Sequence, residues 1–599
     1  MELWMIDREQ KAGRAAVVPS GSLPGARWHL ASLVLTPLLS LAIAGCGSRS
    51  PDDGTAKAVA AKCDDRDPGL SVAPGFCATV FAEGLGRPRH LAVAQDGTVY
   101  VNTAPGPADE AANPAPPLIA LRDADGNGRA DAIRRFGIPS RDAGGTGIQL
   151  YKDFLFAEDA GKIVRYSLRD AAAGIPQAPP QIILSNLPGT GDHTSHTIAI
   201  RSDGALFVNS GSATNACQQR NRQQGSRGEV PCQEKATRAG IWQYDADTPG
   251  QSFSARGRYA SGIRNAVGMA LDRRGMLFAT QHGRDQLAAN WPQLYSDAQS
   301  QELPAEELIE IRRGDDFGWP ECYFDGAQDK LVLAPEYGGD GGKSTGPCVS
   351  RKAPLAAFPA HWAPNALLIY EGDKFPAGYR DGAFIAFHGS WNRAPGPQGG
   401  FNIVFQPMRA GRASGQYVVF ADGFAGAGKA RGEAAHRPTG LALGPDGALY
   451  VSDDAGGRIW RITYIGDGSD RVANAPAAPA DQQAAPGGGT KDLPRPAGIS
   501  VAQMTLGRQI FHGEARGGTC SGCHGSEGRG GPVGPALSGG RWLWSDGSLE
   551  GLARTVSEGV AKPRRYPAPM PPKGGAELDE GDVKAVAAYV WGIGHRQDR

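Results

Sequence analysis

Cys520, Cys523 and His524 stand in the pattern C-x-x-C-H within GGTCSGCHGSEG. Two thiols at that spacing form thioethers to a porphyrin edge and the adjacent histidine ligates its iron, so the pattern points to covalently bound haem c. A zinc half-site is the competing reading, but a structural zinc needs four ligands and the sequence has no second close cysteine pair to supply them. The sixth iron ligand has to come from downstream and reach the other haem face. Met570 in YPAPMPPKGG is the candidate: set between Pro569, Pro571 and Pro572 it does not belong to a helix face, and a thioether raises the haem potential, as suits an electron acceptor. Met504 precedes the haem motif and is a weaker competitor.

A second ligand pattern is DADGNGRAD. It puts Asp123, Asp125, Asn127 and Asp131 at loop positions one, three, five and nine, with Gly128 at six for the turn, as hard cations require. The twelfth position is Arg134 in place of Glu, so a structural Ca²⁺ and a plain acidic turn stand as alternatives.

These residues need elements to hold them. Around the haem motif the text reads as a small helical module: Ser500 with Gln503 caps a first helix carrying Leu506 and Ile510, Leu549, Leu552, Ala553 and Val556 have helical spacing, and Val583, Val586, Ala587 and Val590 mark a last amphipathic helix. Ahead of it, IGDGSDRVANAPAAPADQQAAPGGGTKDLPRP is a linker by composition. Between Leu91 and Thr463 one phrase returns six times, an apolar strand, a polar turn usually containing Asp-Gly, and a second apolar strand, beginning at Leu91, Ile148, Ile198, Met269, Tyr379 and Leu441. Recurrence at roughly 50 to 100 residues fits the blades of a propeller, with a β-sandwich as the alternative. The expected fold is an all-β six-bladed β-propeller followed by a small all-α cytochrome c domain.

Lys and Arg number 62 against 62 Asp and Glu, so charge suggests no nucleic-acid partner. The apolar run LASLVLTPLLSLAIA after Arg27 is too short for a comfortable membrane span and has the form of a signal-peptide core. It ends in IAGC, which resembles a bacterial lipobox, with lipidation expected at Cys46. Gly47, with no Asp after that cysteine, suits outer-membrane sorting, so the expected address is a lipid anchor on the periplasmic side of the cell envelope. Exported thiols oxidise, and the six cysteines left after Cys46, Cys520 and Cys523 fall into three short-range pairs: Cys63 with Cys77, Cys217 with Cys232 and Cys322 with Cys348. Six cysteines allow about 15 connectivities; proximity alone selects this one.

The stretches GDHTSHTIAIRSDGALFVNSGSATNAC, GIRNAVGMALD, LIEIRRGDDFGWPECY, FPAHWAPNALLIYEGDKFPAGYRDGAFIAFHGSWNR and HRPTGLALGPDGALYVSDDAGGRIWRI resemble the glucose/sorbosone dehydrogenase family, six-bladed propellers that use pyrroloquinoline quinone (PQQ). The resemblance covers about Pro74 to Thr463, and the C-terminal module separately resembles class I cytochromes c. It implies oxidation of a sugar hemiacetal or aldehyde to a lactone or acid, in which a base takes a proton beside a quinone that accepts a hydride. By position in the family motifs His193 is that base, Arg264 the cation near the reactive carbonyl, Arg437 a PQQ-binding arginine, and Asn392 or Arg393 falls near a lysine that relatives use. His196 occupies a place where relatives carry Arg. Gly283 and Arg284 match the backbone carbonyls that hold a Ca²⁺ at the PQQ site, where some relatives have Gly-Pro.

The expected organisation is a lipoprotein signal and lipidation site at 1–46, a tether at 47–73, the propeller at 74–465, the linker at 466–495 and the cytochrome c domain at 496–599. The expected partners are a sugar, a downstream electron acceptor such as a cytochrome or respiratory component, and the membrane through the lipid anchor. Two other classes compete: a Ca²⁺-dependent lactonase-like hydrolase, and a tethered electron carrier whose propeller is a docking platform. Sugar specificity lies in blade loops such as Asn215–Gln233 and Gln286–Leu303, which carry no readable code.

Overall fold

The computed structural model describes residues 63–596 apart from 64–65, 68, 106–113, 394–397, 427–432 and 477–492, and from short stretches of the haem module at 513–514, 517–519, 525–527, 529, 531–533, 564–565 and 567–568. Cys46 and the expected signal segment lie outside the described residues.

Six blades, each built on four antiparallel strands, follow one another along the chain, and blades 2 and 5 carry a fifth short edge strand, Gln251–Ser252 and Ser71–Val72. Blade 1 runs from Pro88–Val93 to Ala132–Phe136, blade 2 from Ile148–Tyr151 to Gln181–Ser185, blade 3 from Ile198–Ile200 to Arg258–Ser261, blade 4 from Met269–Leu271 to Ala356–Phe358, and blade 5 from Pro364–Ile369 to Val418–Asp422. Blade 6 takes its three inner strands from Pro438–Leu443, Leu449–Asp453 and Arg458–Tyr464, and its outer strand from the N-terminal end of the chain, Phe76–Ala82, with Cys77 opposite Thr463. The ring is therefore closed by hydrogen bonds between its two ends.

The inner strands read as continuous apolar runs because both faces of each blade are buried. Successive side chains of a strand point to opposite faces, so one strand feeds two cores. Leu206 and Val208 pack toward blade 2 with Phe156 and Ile163, whereas Phe207 between them packs toward blade 4 with Leu277 and Ile309. The same arrangement repeats at all six blade junctions. The junction of blades 5 and 6 is the most aromatic, with Phe76, Phe375, Phe384, Phe405, Phe420 and Trp460 in one cluster.

Three sequence expectations change here. The fifth repeat copy, at Tyr379, contains only the second strand of its hairpin: Ala383–Phe387 pairs with Pro364–Ile369, and the Asp381-Gly382 step enters that strand without joining two. Part of the expected linker belongs to the propeller, since Tyr464 Oη donates to Asp470, Asn474 accepts from the Val419 amide and Val472 packs on the blade 5–6 core. At the other end of that linker Leu493 is buried in the helical module. The expected tether likewise contributes structure: Ser71–Val72 pairs with Val418–Asp422, and Asp67 accepts from Arg458 and Trp460. The three expected disulfides are all present.

The C-terminal module packs helices Val501–His512, Leu549–Glu558 and Glu580–Gly594 around Ile510, Phe511, Leu552, Val556, Val586 and Val590. Ser500 and Gln503 form the expected reciprocal cap, and Asp579 and Asp582 form another. The first and last helices touch at Gly507, where a Cβ would lie 2.0 Å from the Ala585 carbonyl oxygen.

Candidate functional site

One face of the propeller collects the polar side chains. In blades 4, 5 and 6 the residues just before the innermost strand and just after the second strand meet at this face, joined by residues before the innermost strand of blade 3. His193 precedes Ile198–Ile200, Arg264 precedes Met269–Leu271, His361 precedes Pro364–Ile369 and Arg437 precedes Pro438–Leu443; His282 follows Leu277–Gln281, His388 follows Ala383–Phe387 and Asp454 follows Leu449–Asp453. Together they line a cavity of about 1170 Å³.

His193 Nδ1 lies 2.9 Å from the Ser212 carbonyl oxygen and 2.9 Å from its hydroxyl. A carbonyl only accepts, so Nδ1 carries the proton and Nε2 keeps its lone pair for the cavity. Burial, followed by the Arg264 guanidinium, holds the imidazole well below its ordinary pKa and outweighs the Ser212 carbonyl. The ring is thus a neutral acceptor at neutral pH. Arg238 fixes the backbone beneath it by donating to the His193 and Thr190 carbonyls.

Arg264 donates from Nε to the Asn215 carbonyl (3.0 Å), from Nη1 to the Gly283 carbonyl (2.8 Å), and from Nη2 to Asn215 Oδ1 (2.9 Å) and Asp285 (3.0 Å). These bonds leave one guanidinium N–H on Nη1 for the cavity. Asp285 gathers Arg264, Arg222 and Asn392. Burial pushes its carboxyl up, but Arg264 and Arg222 outweigh that and hold it well below the usual carboxylate range. Across the cavity His388 Nε2 donates to Asp454 at 2.7 Å, and Arg89 pairs with the same carboxylate. Arg437 donates to the His388 and Gly389 carbonyls and stands over the Phe401 ring. Glu306 receives the Gly283 and Ala363 amides, and burial pushes its carboxyl up to about 8.

Of the sequence-predicted residues, His193, Arg264, Gly283, Asn392 and Arg437 line this cavity together. Arg393 does not join them: its guanidinium is turned to the Gln301 and Ala360 carbonyls and to Glu302. The Arg284 side chain is also turned away, buried against Glu336 and Asn290, so of that pair only Gly283 faces the cavity. His196 is buried against Glu158, with Nδ1 2.8 Å from the carboxylate. Asp123, Asp125 and Asp131 come together on the distant 118–136 hairpin, where Asp123 is occupied by the amides of Gly126, Asn127 and Gly128. The sequence reading passed over His282, His388, Asp454, Asp285 and Arg222. The first three had a signal: TQHG, AFHG and SDDA follow the second strand of their repeat copies at equivalent positions.

The same cavity extends into the helical module, where Phe511, Cys520, Cys523, His524, Leu552, Val556, Met570, Val586 and Val590 line it. Cys520–His524 is a short helix. His524 is buried and its Nδ1 donates to the Pro535 carbonyl at 2.8 Å, which leaves Nε2 for a metal. Met570 sits in a bridge with Val560 and lines the same space.

Residues 70–465 match the TrAA12-like family model, about two thirds of the chain. The chain belongs to the TrAA12-like family. Residues 502–590 of this TrAA12-like protein match the model for cytochrome c oxidase, cbb3-type, subunit III, which makes the helical module a cytochrome c domain. A pyrroloquinoline quinone-dependent pyranose dehydrogenase of Coprinopsis cinerea is 29% identical over 274 residues, 39% of this chain and 36% of that protein. An uncharacterised Borreliella burgdorferi protein is 28% identical over 207 residues, 34% and 48% of the two chains. The chain thus spans between about a third and a half of the length of these two curated relatives. The cbb3-type cytochrome c oxidase subunit FixP of Rhizobium etli is 39% identical over 77 residues, 12% of this chain and 26% of that one. Among solved structures, the calcium structure of Trichoderma reesei family AA12 superposes with a TM-score of 0.53 at 19% identity, covering 66% of this chain and 97% of that one. The PQQ domain of the Coprinopsis cinerea pyranose dehydrogenase gives 0.52 at 20%, with the same coverage. These likenesses establish the propeller fold.

Proposed function

We propose that this TrAA12-like protein is a quinohaemoprotein that oxidises the hemiacetal or aldehyde carbon of an aldose or sorbosone-like sugar and passes the electrons to its own haem c. The observation that carries the reading is the single cavity, lined at one end by His193, Arg264 and Arg437 and at the other by Cys520, Cys523, His524 and Met570.

The donor sets suit both groups. Arg87, Arg89, Arg222, Arg264 and Arg437 line the propeller end beside Asp192, Asp285 and Asp454, and offer guanidinium donors to a tricarboxylate. The Gly283 carbonyl takes one bond from Arg264 and retains a second lone pair, which a Ca²⁺ held by the backbone of Gly283 and Arg284 would use. At the haem end two thiols outside any disulfide, one histidine with Nε2 available and one thioether face an apolar lining. When bound, PQQ supplies a two-electron acceptor for the hydride and haem c a one-electron carrier.

The chain does the rest. His193 Nε2 accepts the proton of the anomeric hydroxyl, and the Ser212 carbonyl holds the ring in the tautomer that makes this possible. The uncommitted N–H of Arg264 meets negative charge as it develops. A low dielectric inside the cavity strengthens both. Export and lipidation at Cys46, with a periplasmic address and a respiratory acceptor downstream, complete the reading; the likeness of the module to an oxidase subunit supports the last of these.

The test is haem reduction in the purified protein supplied with PQQ and Ca²⁺, across a panel of aldoses. The expected result is a sugar-dependent reduced-haem spectrum that His193→Ala abolishes. A haem that dithionite reduces but no sugar does, with no PQQ binding, would replace this reading by the docking-platform one.

A further inference from the structure

Gln286 of the propeller meets the haem module and is held by Arg222, and the proposed function gives neither residue a part in proton or hydride transfer. Arg222 lies in the loop closed by the Cys217–Cys232 disulfide. Its Nε donates to Asp192 at 3.0 Å, its Nη2 to Asp285 at 3.0 Å and its Nη1 to Gln286 Oε1 at 3.1 Å. Gln286 holds a left-handed backbone conformation, φ 63°, and its amide end meets the haem module: a Cβ on Gly575 would lie 3.1 Å from Gln286 Nε2. Gly575 closes the short turn Pro572–Gly575, directly after the segment that carries Met570. Arg222, Asp192 and Asp285 line the same cavity as Cys523, His524 and Met570. Arg222 and Asp192 have side chains only 15% and 7% exposed, so solvent screens them little.

We propose that Arg222 and Gln286 form the dock for the haem module and that the Arg222–Asp192–Asp285 cluster sets the haem potential from the propeller side. Hydrogen bonds join Arg264 through Asp285 and Arg222 to Gln286, whose amide end meets Gly575. A cation close to a haem favours the reduced, less positive state, and a carboxylate favours the oxidised one, each more strongly when buried. Arg222 is a positioning residue, since it acts on the haem through charge and contact. The inference rests only on the haem half of the proposed function.

The measurement is the haem midpoint potential, by spectroelectrochemical titration of the full chain carrying haem, with no quinone added. Arg222→Gln leaves two carboxylates beside the haem and lowers the potential; Asp192→Asn raises it. Gln286→Glu lowers it and Gln286→Lys raises it, and these two replacements lie at a half-buried position that does not depend on refolding the loop. A merely structural disturbance would move the members of each pair in the same direction. Four variants with the wild-type haem spectrum and wild-type potentials would overturn the proposal, as would same-direction shifts. A chain that takes up no covalent haem would overturn the proposed function itself, and that outcome is read separately from the pyridine haemochrome spectrum.

Discussion

The two ends of the cavity handle a histidine in the same way and surround it with opposite chemistry. His193 and His524 each give their Nδ1 proton to a backbone carbonyl, Ser212 in one case and Pro535 in the other, and each keeps Nε2 free. Around His193 stand Arg264, Arg222, Asp192 and Asp285, groups that bind charge and govern a proton. Around His524 stand Phe511, Leu552, Val556, Val586 and Val590, groups that exclude water. Under the proposed function, one second-neighbour device thus serves a base in the first setting and a metal ligand in the second. What decides between them is the electrostatic lining and the presence of flanking thiols.

Substitutions at the two ends should therefore fail differently. His193→Ala should lower sugar-driven haem reduction about 10²- to 10⁴-fold, the range of a general base, and leave the haem spectrum untouched. Met570→Ala should do the reverse: sugar oxidation measured with an artificial acceptor persists, while the haem spectrum and potential change through loss of the thioether. Either variant affecting both readouts equally would break the division of labour. Cys217→Ser with Cys232→Ser should destabilise the propeller by about 3 kcal/mol, the cost expected for opening a loop of that length, seen as a lower denaturant midpoint.

Proton behaviour sharpens the comparison on a finer scale. Burial and Arg264 hold the His193 pKa below 6.5, so the imidazole stays a base as pH falls and the acidic limb of kcat/KM should lie below pH 6.5. Arg222→Gln removes one of the cations that depress it, so that limb should move to higher pH. The smallest effect concerns stability. Burial pushes Glu306 and Glu307 up to about 8 from 4.5, so the folded state holds protons that the unfolded state has released between those values. Stability should then fall as pH rises from about 4.5 to about 8. Glu307→Gln should flatten that slope, as thermal unfolding at a series of pH values would show.

Much of this was legible in the chain. The hairpin phrase revealed the blades because each blade junction needs apolar residues on both faces of its inner strands, and Phe207 with its neighbours Leu206 and Val208 writes that need as an unbroken run. The cytochrome c domain was legible because haem attachment fixes the spacing of Cys520, Cys523 and His524. Arg393 misled for the opposite reason: a guanidinium on a long stem goes wherever acceptors are, and Gln301, Ala360 and Glu302 offered them outside the cavity. The linker was read too long because composition does not show that Asp470, Val472 and Asn474 find partners on blades 5 and 6. Asp285 and Arg222 had no local signal, since their importance comes from which loops the ring brings together.

The strand Phe76–Ala82 is among the first of the described residues to be made, yet its partner Arg458–Tyr464 is among the last of the propeller. Until synthesis passes Tyr464 the ring stays open, and the face that gathers His193, Arg264, His388 and Arg437 is not assembled. A chain stopped early would carry the individual hairpins without a working pocket. The haem motif comes later still, so a chain stopped between Tyr464 and Cys520 would carry a closed ring with no haem site beside it.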